Sequence, residues 1–154
     1  MSYASFVAPI TPRGNRVMVV RNRQNGQWMM PGGLVDRGES SSNAAGREYK
    51  EETGFRSHGL MHVSRKPTRR GNVNLYATQM TPNDIQNRRQ KFAGRQHAHE
   101  TSEYGFVDLR RPRHVVEQYD GRFKASQGFR PGSIEHPNQM RNIHRNVRRS
   151  SRRG

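Results

Sequence analysis

The chain has 154 residues, with 28 Lys and Arg against 12 Asp and Glu and a formal charge of +16. Apolar residues make up 30% of it, below the roughly 45–50% of an ordinary globular domain, so one small domain with some chain outside its core is expected. There is no cysteine, which excludes disulfides, zinc fingers and thiol catalysis; no apolar run suits a membrane-spanning helix, and the first residues lack the pattern of a secretory signal, so a cytoplasmic protein is expected.

Taken in chain order, Tyr3–Ile10 and Val17–Arg21 are β-prone apolar runs separated by the breaker Thr11-Pro12-Arg13-Gly14-Asn15. A short strand at Trp28–Met30 follows the turn Asn25-Gly26 and stops at Pro31-Gly32-Gly33. From Ser40 to Thr53 the pattern is helical: serines cap the start, Ala44, Ala45 and Tyr49 lie within, and Gly54 ends it. Strands are expected again at Leu60–Ser64 and Val73–Ala77, with Arg69–Asn72 as the turn between them. Gln79 to His99 reads as a long polar loop with one helical turn near Ile85–Gln90. Tyr104–Leu109 is a further strand, and Val115, Val116 and Tyr119 suggest a short second helix. Apolar residues thin out after Lys124, and the chain ends in the low-complexity basic run Arg148–Gly154, read as a tail that is disordered or ordered by a partner.

Arginine supplies 24 of the 28 basic residues. Its planar guanidinium grips phosphate with two parallel hydrogen bonds, so a polyanionic partner or substrate is the first expectation. Two acidic islands interrupt the basic chain, residues 33–55 and residues 100–109. Within the first, Glu48 and Glu52 stand four apart and share one helix face, with Glu51 at its border. Like charges at that spacing destabilise an isolated helix by a few tenths of a kcal/mol. A divalent cation that prefers oxygen ligands, Mg²⁺ or Mn²⁺, would neutralise them. Arg47 is placed to hold or orient a carboxylate, and Pro31-Gly32-Gly33 leaves room for a backbone carbonyl to approach a metal. Without further pattern, an exposed acidic helix making surface pairs would explain the cluster equally well.

The complete spacing runs from Gly33 through Glu39 and Arg47-Glu48-Tyr49-Lys50-Glu51-Glu52-Thr53-Gly54 to Phe55. It resembles the Nudix box, Gly-x5-Glu-x7-Arg-Glu-U-x-Glu-Glu-x-Gly-U, where U is a bulky apolar residue. Every fixed position is met, and Tyr49 stands where an aliphatic residue is commoner. Trp28-Met29-Met30-Pro31-Gly32-Gly33 looks like the lead-in of many family members, and Glu100–Val107 looks like their acidic loop and aromatic strand.

The resemblance implies an α/β fold, an α/β/α sandwich with a mixed central sheet, over residues 1–124; residues 125–154 lie outside the resemblance and are read from their composition as a basic C-terminal tail, partly disordered or bound to nucleic acid. It implies metal-dependent hydrolysis of a nucleoside diphosphate linked to another moiety, by attack of water on phosphorus. Glu48, Glu51 and Glu52 would be Mg²⁺ or Mn²⁺ ligands together with the Gly32 carbonyl. Glu39 would stand behind them, or bind through water, and Arg47 would orient a box glutamate. The general base would be Glu52, Glu100 or Glu103, with Glu100 ahead of Glu103 because it sits further back in a loop able to close over metal and substrate.

Outside the box the substrate is open among nucleotides, dinucleoside polyphosphates and an RNA 5′ end or cap. Arg65, Lys66, Arg69 and Arg70 form a basic hairpin that could grip additional phosphates. Trp28, Tyr76, Phe92 and Tyr104 are stacking candidates for a base, with core packing the commoner role of Trp28 and Tyr104. His97 and His99 are expected to be solvated. Arg148, Arg149, Arg152 and Arg153 suit nonspecific binding of RNA or DNA through counterion release. Two function classes follow: a pyrophosphohydrolase, or a nucleic-acid-binding structural component of a ribonucleoprotein or virion. The complete glutamate set favours the enzyme.

Overall fold

In this computed structural model the first two strands, β1 (Ser2–Ile10) and β2 (Arg16–Asn22), pair at Ile10 and Val17, beside the turn that joins them. Two short strands occupy the edges that β1 and β2 turn toward each other beyond that pair. β3 (Trp28–Met29) pairs with β2, and β4 (Gly32–Leu34) pairs with β1 through Ala4–Leu34, Ser5–Gly33 and Phe6–Gly32. Pro31 makes the step between them, and its carbonyl accepts from the Val7 amide at 2.8 Å. The glycine pair that was expected to stop a strand therefore takes part in one. The structure describes residues 1–109 and the strand 115–118.

After α1 (Ser41–Thr53) come β5 (Met61–Thr68) and β6 (Gly71–Gln79), an antiparallel hairpin whose second strand runs parallel to β1. Two short helices, α2 (Pro82–Gln86) and α3 (Arg88–Ala93), lead to β7 (Thr101–Asp108) and β8 (Val115–Gln118). The mixed sheet runs β5-β6-β1-β2-β7-β8, with β3 and β4 attached to β2 and β1. Among the described residues the three helices cover one face, where Ala45, Tyr49, Phe55, Ile85 and Phe92 pack against Val7, Met18, Val20, Tyr104 and Phe106. On the other face Ala8, Ile10, Val17, Val19, Leu75 and Val107 gather with Trp28 and Met30. None of these helices is long and apolar enough to cross a membrane.

Two further expectations change. The segment around Val115 and Val116 is a strand paired with β7, not a helix; two adjacent β-branched residues favour the pleated ladder. Tyr119 lies outside the described residues. The polar stretch after Gln79 contains two helices rather than one turn. Thr81 caps α2 in a capping box: its hydroxyl accepts from the Asp84 amide at 3.1 Å, and its own amide donates to Asp84 Oδ2 at 2.9 Å. Lys91 Nζ then donates to Asp84 Oδ1 at 2.7 Å and ties α3 to α2.

Candidate active site

Helix α1 starts where the Ser40 hydroxyl accepts from the Asn43 amide at 3.1 Å, and it ends at Gly54 in the left-handed region, φ 79°. A side chain at Gly54 would strike the Lys91 carbonyl. The helix lies against β4, which brings Glu48 and Glu52 to the glycine pair. Glu52 is buried, and the Gly32 amide donates to its Oε2 at 3.0 Å. A larger residue at Gly33 would push the Glu48 side chain aside: a Cβ there would stand 2.7 Å from the Glu48 carboxyl carbon.

Glu100 arrives from the other side, in the turn before β7. The Arg23 amide donates to the Glu100 carbonyl at 2.9 Å, and the Thr101 hydroxyl donates to the Glu52 carbonyl at 3.1 Å. Glu48, Glu52 and Glu100 thereby present carboxylate oxygens that all lie within 4.8 Å of one another. Burial pushes the Glu52 carboxyl up to about 8, against the pull of the Gly32 amide, and neighbouring carboxylates push the same way. Burial also raises Glu48, against the pull of Arg47. Such a set of hard oxygen donors, short of positive charge on its inner side, fits Mg²⁺ or Mn²⁺.

Arg47 supplies positive charge on the outer side. Its guanidinium donates to Glu39 at 2.8 and 3.0 Å, to Glu48 Oε1 at 3.1 Å, to Glu51 Oε2 at 3.2 Å and to the Leu34 carbonyl at 3.1 Å. Glu39 also accepts from the Asp36 amide at 3.0 Å, and its bond with Arg47 holds it below the ordinary carboxylate range. One arginine thus braces three glutamates and the loop before the helix.

The remaining candidates are placed differently. Glu51 turns toward Arg47 and His97, whose Nδ1 is 3.5 Å from Glu51 Oε2 and 3.7 Å from Glu100 Oε2. Gly32 meets the cluster through its amide. Glu103 lies on β7 and faces Arg21 at 3.3 Å, outside the carboxylate trio. Arg65, Lys66, Arg69 and Arg70 are all exposed on the β5–β6 hairpin. Its tip meets the start of β1, where Arg70 Nη1 donates to the Tyr3 hydroxyl at 3.0 Å; the Tyr3 carbonyl in turn accepts from Val35 beside the box loop. Trp28, Tyr76, Phe92 and Tyr104 are buried core residues, as expected for Trp28 and Tyr104, and for Tyr76 and Phe92 this corrects the idea that a base stacks on them. Arg148, Arg149, Arg152 and Arg153 lie outside the described residues. His97 is the neighbour that reading the sequence undervalued; its one legible sign is its place three residues before Glu100.

Comparison with known proteins bears on this geometry. The NUDIX domain family matches residues 1–127. A protein of Streptomyces ambofaciens named "MutT-like protein" is 33% identical over 52 residues, which is 34% of this chain and 34% of that one. The chain spans between 21% and 34% of the length of the curated relatives it matches. Among solved structures, a mutT/nudix family protein from Listeria innocua has a TM-score of 0.60 at 18% identity, over 99% of this chain and 97% of that one. The MutT NUDIX hydrolase from Burkholderia pseudomallei has a TM-score of 0.54 at 17% identity, over 72% and 86%. At such identities the structures show a shared fold, and the match over most of the sequence shows the kinship: the chain belongs to the Nudix hydrolase family.

Proposed function

We propose that the chain hydrolyses a diphosphate linkage in a nucleoside diphosphate-linked substrate, with Mg²⁺ or Mn²⁺ held by Glu48, Glu52 and Glu100. The observation that carries this reading is the convergence of these three carboxylates, from a helix and from a separate loop, within 4.8 Å. Glu51 and the Gly32 carbonyl are the further ligands in this reading, and Glu39 stands behind Arg47. A bound divalent cation supplies charge against the phosphate oxygens and acidifies a coordinated water.

The chain's own groups do the rest. Arg47 keeps Glu48 and Glu51 in position through hydrogen bonds that also neutralise them from behind. Gly32 orients Glu52. Glu100, with 42% of its side chain exposed, reaches both the cluster and solvent, which suits taking the proton from the attacking water. Water oxygen bonds to phosphorus, the bridging P–O bond breaks, and the departing phosphate carries the bond's electrons. Arg65, Lys66, Arg69 and Arg70 hold phosphates beyond the scissile one.

The substrate class is a nucleotide, a dinucleoside polyphosphate or an RNA 5′ end. Binding of RNA or DNA by the C-terminal arginines is the finer part of the proposal and rests on composition alone. Removing residues 125–154 tests it: the salt dependence of RNA binding should flatten, and an unchanged slope contradicts it. The reaction is tested by phosphate release from nucleotides and 5′-triphosphorylated RNA, with and without Mg²⁺ or Mn²⁺. Release that needs the metal supports the reading, and release unaffected by a chelator contradicts it.

A further inference from the structure

A cavity of about 570 Å³ opens between the β1–β2 turn, helix α2 and the first residue of α3. It is not the carboxylate site. Phe6 pairs with Gly32 there, whereas the cavity begins at Thr11, five residues further along the chain; at about 3.3 Å per residue that is about 17 Å away.

Three arginines from separate elements line it: Arg13 in the turn, Arg16 at the start of β2 and Arg88 at the start of α3. None of the described residues lining it is acidic. Asp108 stands opposite Arg16 in the β2–β7 ladder and does not line the cavity. Pro82 and Ile85 give the cavity an apolar side, and Phe106, 3% exposed, borders it.

The walls are held in place before any ligand arrives. The Thr11 amide donates to the Arg16 carbonyl at 2.9 Å, and the Arg16 amide donates to the Thr11 hydroxyl at 3.2 Å, closing the turn that carries Arg13. Arg88 Nη1 donates to the Ile85 carbonyl at 2.8 Å, which fixes its guanidinium beside the end of α2. A concave site with positive charge on one side and apolar atoms on the other concentrates phosphate anions and shelters an apolar body. Its volume falls within the roughly 300–1,000 Å³ of small-molecule sites, several times what a bare phosphate fills.

We propose that this cavity, between the β1–β2 turn and the α2–α3 pair, is a second ligand site that binds a nucleoside monophosphate: phosphate against Arg13, Arg16 and Arg88, base and sugar against Pro82 and Ile85. The choice of a nucleotide rests on the proposed reaction, which releases phosphorylated nucleosides; the site itself rests on the cavity.

The test is equilibrium dialysis of GMP against the full chain carrying Glu52→Gln, in EDTA and at about 0.15 M salt to screen exposed arginines. One saturable site is expected without any divalent cation. Adding Arg13→Glu should weaken it by at least about tenfold, because a charge-assisted phosphate contact is lost and a repulsive one gained. Arg16→Gln, on a different element, should weaken it as well, which guards against a misfolded turn variant. In the wild-type background Arg13→Glu should leave turnover of a nucleotide substrate unchanged. Absence of saturable binding in EDTA, GMP affinity unchanged in both arginine variants, or equal affinity for inorganic phosphate or guanosine would overturn the proposal. A chain that binds GMP in EDTA yet hydrolyses no nucleotide would count against the proposed reaction and leave the second site standing.

Discussion

The Gly32 amide donates to Glu52 Oε2 at 3.0 Å, and this bond joins the strand before the box loop to the last full turn of the box helix. It is a favourable contact on a carboxylate that burial otherwise penalises, and burial wins, pushing the acid up to about 8.

The first prediction is a proton linkage. In the metal-free chain Glu52 holds a proton more tightly when folded than when unfolded, where its value is the ordinary 4.5. A raised folded-state value contributes stability that is fully present below the unfolded pKa and is lost as pH rises through the folded one. The melting temperature in EDTA should therefore fall between pH 4.5 and about 8 through this group. Glu52→Gln should remove that slope and melt higher than the parent at alkaline pH, by a few degrees, about 4 °C or more. Identical pH profiles for the two proteins would contradict the burial argument.

Glycine at position 33 should matter for the site more than for the fold. Gly33→Ala places a methyl group 2.7 Å from the Glu48 carboxylate, and the flexible end of that side chain is what must move. The expected outcome is a melting temperature within a few degrees of the parent and a loss of Mn²⁺ affinity of about tenfold or more, measured by calorimetric titration. Equal Mn²⁺ affinity in a folded variant would show that Glu48 is not held against the glycine.

Arg47→Lys keeps the charge and loses the fork. A single ammonium cannot serve Glu39, Glu48, Glu51 and the Leu34 carbonyl together. Metal affinity or kcat should fall by about 10–100-fold. If lysine supports parental values of both, charge alone suffices and the bracing role is wrong.

Much of this site was legible in the sequence, because its physics is local. Helical spacing alone brings Glu48 and Glu52 onto one face, and Ser40 and Gly54 mark the helix ends where they occur. What the sequence hid was long-range. That Gly32, Gly33 and Leu34 form a strand depends on the edge that β1 leaves open, and no local pattern encodes that. The strand at Val115 was misread because its partner, β7, is what decides between a β-branched helix turn and a ladder. The first helix after Met80 was legible after all: Thr81-Pro82-Asn83-Asp84 is a capping box with proline at the first helical position.

The two acidic residues of the second island should separate cleanly. Glu100→Gln should lower kcat by roughly 10²–10⁴-fold if this group takes the proton from water. Glu103→Gln removes a partner of Arg21 on β7 and should cost little activity. Steady-state kinetics on both variants decides: a silent Glu100→Gln with an impaired Glu103→Gln would reverse the assignment, and two silent variants would move the base into the box helix.

The central claim is that Glu48, Glu52 and Glu100 hold the divalent cation that hydrolysis requires. The most direct measurement is Mn²⁺ binding, followed by calorimetry and by electron paramagnetic resonance, in the parent and in Glu48→Gln/Glu52→Gln, alongside phosphate release from a nucleotide panel. The parent should bind the ion, release protons as Glu52 gives up its own at pH 7, and turn over only with metal present. The double variant should stay folded and lose both binding and turnover. A folded double variant that keeps parental Mn²⁺ affinity and metal-dependent turnover would contradict the account.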